Sequence, residues 1–260
     1  MTLSFPDRLR RREPVTGTML RLIREPGVTA ICRSAGFDLI MLDMEHGSFG
    51  FDDVGRLAQA GRGEGLAVMV RVPELTKGYV SRALDCGVDG VMVPMLETPQ
   101  QARQLAAWAK YLPLGGRGLG SMGGHTRYRQ PGPVVDFMND ANHRTFTLAQ
   151  IETVAGVQNA DAIAATPGID ALVIGPNDLA NALGRPGEMT HPDQERAMAA
   201  IGDAAARHGK IFGMHAGTAL LRTWAKRGMT LLLNAIDMQV LAEGMRELCR
   251  TTRQLADLPD

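Results

Sequence analysis

Residues 37–49 read FDLIMLDMEHGSF. Four consecutive apolar residues, Leu39–Leu42, are followed at once by Asp43, Glu45 and His46. An uninterrupted apolar run of this length suits a strand covered on both faces, because neither side of it meets water. The stretch therefore predicts a buried strand over 38–43 that delivers three polar side chains at its exit. Polar loops after strands are common, so the pattern gains meaning only if it recurs.

It does recur. Runs of the same kind lie at 15–22 (VTGTMLRL), 67–72 (AVMVRV), 89–94 (DGVMVP), 144–151 (RTFTLAQI), 170–175 (DALVIG), 210–214 (KIFGM) and 230–234 (TLLLN), making eight strands with 38–43. Helix-type segments separate them. FDDVGRLAQAGRGEG opens with acidic residues, which suit a helix N-terminus. TPQQARQLAAWAKYL offers Thr98 as N-cap and Pro99 at the first helical position. TVAGVQNADAIAATPG stops at Pro-Gly, and HPDQERAMAAIGDAAARHG stops at Gly209. The strand spacing of mostly ~20–30 residues is that of one βα unit. Eight units predict an α/β fold of the (β/α)8 TIM-barrel type, a single domain over 1–260 with its core at about 15–250. A doubly wound open sheet is the alternative, but the first strand is not followed by a GxGxxG turn. The segment 111–143 is too long for an ordinary connection, which points to function. Its glycine-rich part, GGRGLGSMGG, reads as a flexible lid or barrel-rim loop; no GK[ST] follows it to make a phosphate loop.

Composition narrows the partners. Among 260 residues, 28 basic and 28 acidic side chains balance, so no basic surplus invites nucleic acid or an anionic membrane. No stretch reaches the roughly 20 apolar residues of a membrane span. The basic N-terminus MTLSFPDRLRRREP lacks an apolar h-region and does not read as a secretory signal. Cys32, Cys86 and Cys249, odd in number and without CxxC spacing, read as reduced, small buried hydrophobes of a cytoplasmic protein.

In a barrel of this kind, chemistry gathers at the C-terminal ends of the strands. There the sequence places Asp43, Glu45 and His46, then Arg71, then Pro94 and Glu97, then Gln150 and Glu152, then Asn177 and Asp178, then His215, and finally Asn234 and Asp237. Glu152 and Asp178 lie about one βα unit apart and should leave adjoining strands side by side. Two such carboxylates repel unless a proton or cation intervenes, and they suit an octahedral hard cation. Both could equally be solvated loop residues. Zinc is not indicated, since no HExxH or His/Cys set has ligand spacing. Arg71 offers a planar fork to a carboxylate or developing oxyanion, or forms an ion pair with Asp43 or Glu45. His46 has the chemistry of a general base, or is an ordinary loop histidine. The turn GPNDLA opens a short helix whose first amides could seat a substrate carboxylate.

Several stretches together resemble the HpcH/HpaI aldolase family: GFDLIMLDMEHGSF, RVP, GVDGVMVPMLETPQQA, GRGLGS, QIETVAGVQNADAIAATPGIDALVIGPNDLANALG, and HP at 191–192. More narrowly they resemble its class II pyruvate aldolases, such as the 4-hydroxy-2-oxoheptanedioate and 2-dehydro-3-deoxyglucarate aldolases. The likeness runs from about residue 15 to residue 250 and is most specific over 150–184. It implies reversible retro-aldol cleavage of a 4-hydroxy-2-ketoacid to pyruvate and an aldehyde, with a divalent cation (Mg2+, Mn2+ or Co2+) on Glu152 and Asp178. It further implies Arg71 beside the developing enolate oxygen, His46 in acid/base work, and Gln150 with the region Pro176, Asn177 and Asp178 around metal-bound water and the pyruvate carboxylate. The family's partner aspartate aligns with Asp85. That residue precedes the fourth strand, at the other end of the barrel, so any help to His46 must come from a neighbouring subunit; otherwise Asp85 is a turn residue.

No lysine ends a central strand, which argues against a Schiff-base aldolase, and Lys210 begins strand seven. His215 stands where many members carry an aliphatic residue, and Met19 where many carry tryptophan. A histidine there would bind a polar acceptor or merely alter packing, and the aldehyde stays open. The resemblance implies a homo-oligomer, a hexamer of swapped dimers, with helix 238–256 packing on a neighbour or else on its own barrel. Its apolar stripe at helical spacing suits such packing. Aromatic-compound or sugar-acid catabolism is the implied setting. The rival readings are a lyase for an acyl-CoA ester of the malyl-CoA or citramalyl-CoA type, an oxaloacetate decarboxylase with condensing activity, and a non-catalytic barrel that binds a ketoacid.

Overall fold

The computed structural model describes residues 3–256; residues 1–2 and 257–260, the ends of the expected domain, lie outside the described residues. Eight parallel strands close into a barrel in sequence order: β1 (Val15–Leu20), β2 (Leu39–Asp43), β3 (Ala67–Arg71), β4 (Gly90–Val93), β5 (Phe146–Ile151), β6 (Ala171–Ile174), β7 (Ile211–His215) and β8 (Leu231–Ile236). All eight expected strands form, with ends displaced by a residue or two. Helices fill the connections; Thr98 Oγ1 accepts the Gln101 amide and caps Pro99–Ala109 as its sequence predicts.

Side-chain alternation divides each strand between two apolar layers. On β2, Ile40 and Leu42 pack outward against the helices, while Leu39 and Met41 point into the barrel. On β3 the outward pair is Val68 and Val70, and the inward pair Ala67 and Met69. Every one of these is buried, and each large side chain contributes about 1.5–3 kcal/mol. Gly17 keeps the interior from overfilling, since a Cβ there would stand 2.7 Å from the Leu39 side chain.

At the N-terminal end of the barrel, three aspartates just before even-numbered strands bind the preceding strand's amides. Asp38 accepts from Thr16 at 2.9 Å, Asp89 from Val68 at 2.8 Å and Asp170 from Thr147 at 2.9 Å. Buried Lys110 closes this layer with its Nζ 2.6 Å from Asp170. Burial pushes the Lys110 ammonium below the usual lysine range, opposed by the Asp170 charge.

Two expectations change and one alternative, the C-terminal helix packing on its own barrel, falls away. The glycine-rich stretch 115–124 is no lid over this chain's own barrel mouth. It belongs to a helix-to-strand connection and so lies at the N-terminal end, where Arg117 Nη2 meets Asp85 at 2.5 Å and the Arg62 guanidinium binds the Gly124 carbonyl. The helix Asp237–Leu255 does not pack along its own barrel: Val240, Met245 and Leu248 are exposed, and Asp237 alone is buried among its described residues. Of the cysteines, all free, Cys32 is buried but Cys249 is exposed on that helix.

Candidate active site

The alternation that builds the core also builds the site. Continuing the inward parity of β2 and β3 one step past Met41 and Met69 brings Asp43 and Arg71 into the barrel mouth, paired across the two strands. Inward parity on β5 delivers Gln150 and then Glu152, and on β7 it delivers His215 above Gly213. On β1 it leads from Met19 to Arg21, a residue the sequence analysis did not single out.

Asp43 is fully buried and gathers both arginines. Its carboxylate accepts from Arg71 Nε at 2.9 Å and Nη2 at 2.6 Å, and from Arg21 Nε at 2.6 Å. It also accepts the amides of Glu45 and His46, which shapes the turn carrying them. Burial raises the Asp43 carboxyl, but the Arg71 bonds and the two guanidinium charges outweigh it and hold the group below the usual carboxylate range. Burial likewise opposes the Arg71 charge, yet Asp43 and Glu45 raise its pKa further. Arg71 is thus a fixed cation in one orientation. Its Nη1 lies 2.9 Å from Glu45 Oε2, an ion pair without hydrogen-bond alignment. Glu45 is raised, mainly by burial. The His46 side chain is half-exposed at the rim, 3.8 Å from Glu45.

Glu152 is buried, with Oε1 accepting from the Met95 amide at 2.8 Å and Oε2 from Gln150 Nε2 at 2.5 Å. Burial, helped by the charges of Asp178 and Glu45, pushes its carboxyl up to about 7. It reaches this place because residue 175 is glycine: a Cβ there would fall 1.9 Å from Glu152 Oε2. Asp178 is exposed in the first turn of the helix Pro176–Ala182. Pro176 has no N–H and supplies only wall. The amides of Asn177 and Asp178 precede the first intrahelical bond, Leu179 to Gly175, and are the donors left for a ligand.

A cavity of about 250 Å³ at the mouth is lined by Arg21, His46, Arg71, Gln150, Asp178 and His215; of the two expected metal carboxylates only Asp178 lines it, and Glu152 lies against the lining residue Gly175. No lysine is among the described residues that line it. A cavity of about 460 Å³ at the opposite end, with Arg62, Tyr111 and Arg117 in its wall, contains none of the expected catalytic residues. No group of three or more His, Cys, Asp and Glu side chains suited to a metal occurs among the described residues. The smaller set at the mouth nonetheless fits a hard cation. The nearby Asp178 charge disfavours ionisation of Glu152, and the buried Gln150 Oε1 has no hydrogen-bond partner among the described residues. Two carboxylates with room for water and substrate oxygens are a Mg2+-type donor set.

Other expected residues are spent structurally or lie elsewhere. Asp237 is buried, accepting the amides of Arg21, Leu22 and Ile23. Asn234 donates to Thr218 Oγ1. Pro94 and Glu97 do not line the mouth cavity. Lys210 donates to the Ile169 carbonyl at the far end. Asp85 is bound to Arg117 at that same end, so the chain does not bring it to its own His46.

Comparison with known proteins agrees with this geometry. The sequence profile of the HpcH/HpaI aldolase/citrate lyase family matches residues 22–243. A 5-keto-4-deoxy-D-glucarate aldolase of Escherichia coli O139:H28 (strain E24377A / ETEC) is 35% identical over 233 residues, 89% of this chain and 90% of the relative. The crystal structure of an HpcH/HpaI aldolase from Desulfitobacterium hafniense DCB-2 superposes with a TM-score of 0.91 at 31% identity, covering 99% of this chain and 98% of that one. That of an HpcH/HpaI aldolase/citrate lyase family protein from Burkholderia cenocepacia J2315 gives 0.87 at 33% identity, over 97% and 100%. A profile match over most of the length, on a barrel whose mouth carries the expected arginine and carboxylates, leaves one conclusion: the chain belongs to the HpcH/HpaI aldolase/citrate lyase family.

Proposed function

We propose that this carbon–carbon lyase is a divalent-metal-dependent class II pyruvate aldolase, cleaving a 4-hydroxy-2-ketoacid reversibly to pyruvate and an aldehyde. The observation that carries the reading is the placing near the barrel mouth of Arg71, fixed by Asp43, together with Asp178 and Glu152, whose ionisation the Asp178 charge disfavours. Mg2+, Mn2+ or Co2+ held by those carboxylates would supply Lewis acidity toward the keto oxygen, where negative charge develops. Arg71 contributes a second positive charge beside that oxygen, and its orientation needs no rearrangement as the enolate forms. Asn177 and Asp178 direct backbone amides at the pyruvate carboxylate, Pro176 walls it, and Gln150 accepts a hydrogen bond from a water or a substrate hydroxyl through its Oε1. His46, at the rim and accessible, takes the proton of the 4-hydroxyl in cleavage and returns it in addition.

Asp85 from a neighbouring subunit would position His46, because the chain's own Asp85 sits at the opposite face. The exposed apolar stripe on Asp237–Leu255 supports a homo-oligomer, a hexamer built on exchanged C-terminal helices. Residues of about 15–250 act as one aldolase domain. The named relative supports a sugar-acid substrate, and three free cysteines support a cytoplasmic setting. No helix among the described residues is long and apolar enough to cross a membrane.

The decisive measurement is exchange of the pyruvate methyl protons in D2O. Exchange that depends on added Mn2+ and stops in chelator is expected; exchange undiminished in excess chelator would reject the metal assignment. Cleavage of malyl-CoA in place of hydroxyketoacids would favour the thioester lyase.

A further inference from the structure

Beside the mouth cavity lies a second chamber of about 840 Å³, and the two share Pro176, Asn177 and His215. A substrate whose pyruvyl half occupies the first has the second as the space for its aldehyde-derived half. His215 stands at the junction. Its Nε2 is 2.9 Å from the Ala235 carbonyl, and a carbonyl only accepts, so Nε2 carries the proton. Burial lowers the imidazole pKa, which keeps the ring neutral. Nδ1 is then an acceptor, and it has no hydrogen-bond partner among the described residues.

The backbone fixes this tautomer. The β1–β8 register breaks between Gly17 and Met19, opposite 233–236, and Ala235 adopts a φ of 57° in the left-handed region. A bulge of this kind re-aims backbone groups at a barrel rim. Here it turns one carbonyl toward both His215 and the Thr18 hydroxyl.

The chamber beyond has a definite polarity. It is lined by Thr190, Thr218, Asn234 and Gln239 together with Glu195 and Glu243, and no lysine or arginine is among its described lining residues. Hydroxyls and amides there can bond a hydroxylated chain, while two carboxylates without a cation repel an acidic one.

We propose that His215 is a specificity-determining residue whose Nδ1 accepts a hydrogen bond from a substrate hydroxyl, and that the adjoining chamber selects an uncharged, hydroxylated aldehyde. This inference rests on the aldolase reading and names the aldehyde class that it leaves open.

The test compares kcat/KM for addition of pyruvate to D-glyceraldehyde, propanal and succinate semialdehyde in wild-type, His215→Leu and Glu243→Lys proteins. Wild type should favour glyceraldehyde over both others by about tenfold, the scale of one hydrogen bond. His215→Leu should erase most of the glyceraldehyde-to-propanal ratio, a quantity independent of how much protein is folded. Glu243→Lys should raise succinate semialdehyde relative to glyceraldehyde several-fold, and this arm decides the chamber claim should His215→Leu not fold. Wild-type protein that exchanges pyruvate protons but prefers the acidic aldehyde, or a ratio unmoved by His215→Leu, overturns the proposal and leaves the aldolase reading standing. Wild-type protein that exchanges no pyruvate protons overturns both.

Discussion

The two ends of the barrel use the same residue types to opposite effect. At the N-terminal end, Asp38, Asp89 and Asp170 each accept a strand amide, and Lys110 and Arg8 lie 2.6 Å from Asp170 and Asp38. The aspartates there meet donors, although Tyr111 Oη, Arg117 Nε and Thr230 Oγ1 at that end are buried without hydrogen bonds among the described residues. At the C-terminal end, Asp43 is satisfied by Arg71 and Arg21, but Gln150 Oε1 is buried without a hydrogen bond, Glu45 Oε2 has only its ion pair with Arg71, and Glu152 is lifted to about 7. Polar groups left unpaired cost stability and persist where function uses them. One end of the sheet therefore locks register, and the other holds charge in readiness for a ligand.

Four substitutions and one pH comparison can break or sharpen that contrast. Arg71→Ala should have the largest effect, a loss of about a thousandfold in pyruvate proton exchange, because a fixed donor beside the developing oxyanion disappears. NMR exchange rates check this, with circular dichroism to confirm the fold. Lys110→Met attacks the other end: among the described residues it leaves Asp170 with Arg10 as its only charged side-chain partner, and it should cost about 3 kcal/mol in urea unfolding. If it instead abolished kcat while leaving stability intact, the assignment of the two ends would be reversed.

The pH comparison concerns Glu152 in metal-free protein. Its folded pKa of about 7 exceeds the ordinary 4.5, so folding favours the protonated acid. Stability linked to this group is full below about pH 4.5 and is lost as pH rises through about 7, a loss of about 3 kcal/mol. Glu152→Gln should therefore be the more stable protein by that order at pH 8 and nearly equal at pH 4, measured by unfolding in chelator. Equal stability at both would mean the carboxyl is not held in a repelling, desolvated site.

Gly175→Ala is a smaller test of the same spot. The added Cβ displaces the Glu152 carboxylate and should weaken Mn2+ binding about 10- to 100-fold by calorimetry. Thr98→Ala, at a helix cap away from both ends, should cost only about 1 kcal/mol and leave turnover unchanged.

Much of this was legible in the chain itself. Near-continuous apolar runs such as Leu39–Leu42 located all eight strands, because a strand buried on both faces has little room for polar side chains. Glu152 and Asp178 were legible as neighbours because one βα unit separates them. Arg21 was not singled out, although the inward parity of Met19 points to it. The glycine-rich stretch misled for a different reason: its composition suggests a lid, whereas its place before a strand puts it at the far end of the barrel.

By itself, then, the order of apolar and polar residues determined the closed eight-stranded barrel and the polar residues its strand ends deliver, since burial and side-chain alternation are local properties of a chain. Only the tertiary structure decided that Asp43 is committed to both Arg71 and Arg21, that Glu152 sits against Gly175 with its proton half-held, and that Asp85 is bound to Arg117. Those outcomes depend on strand register, closure and burial, which bring residues far apart in sequence to within bonding distance or keep them from it.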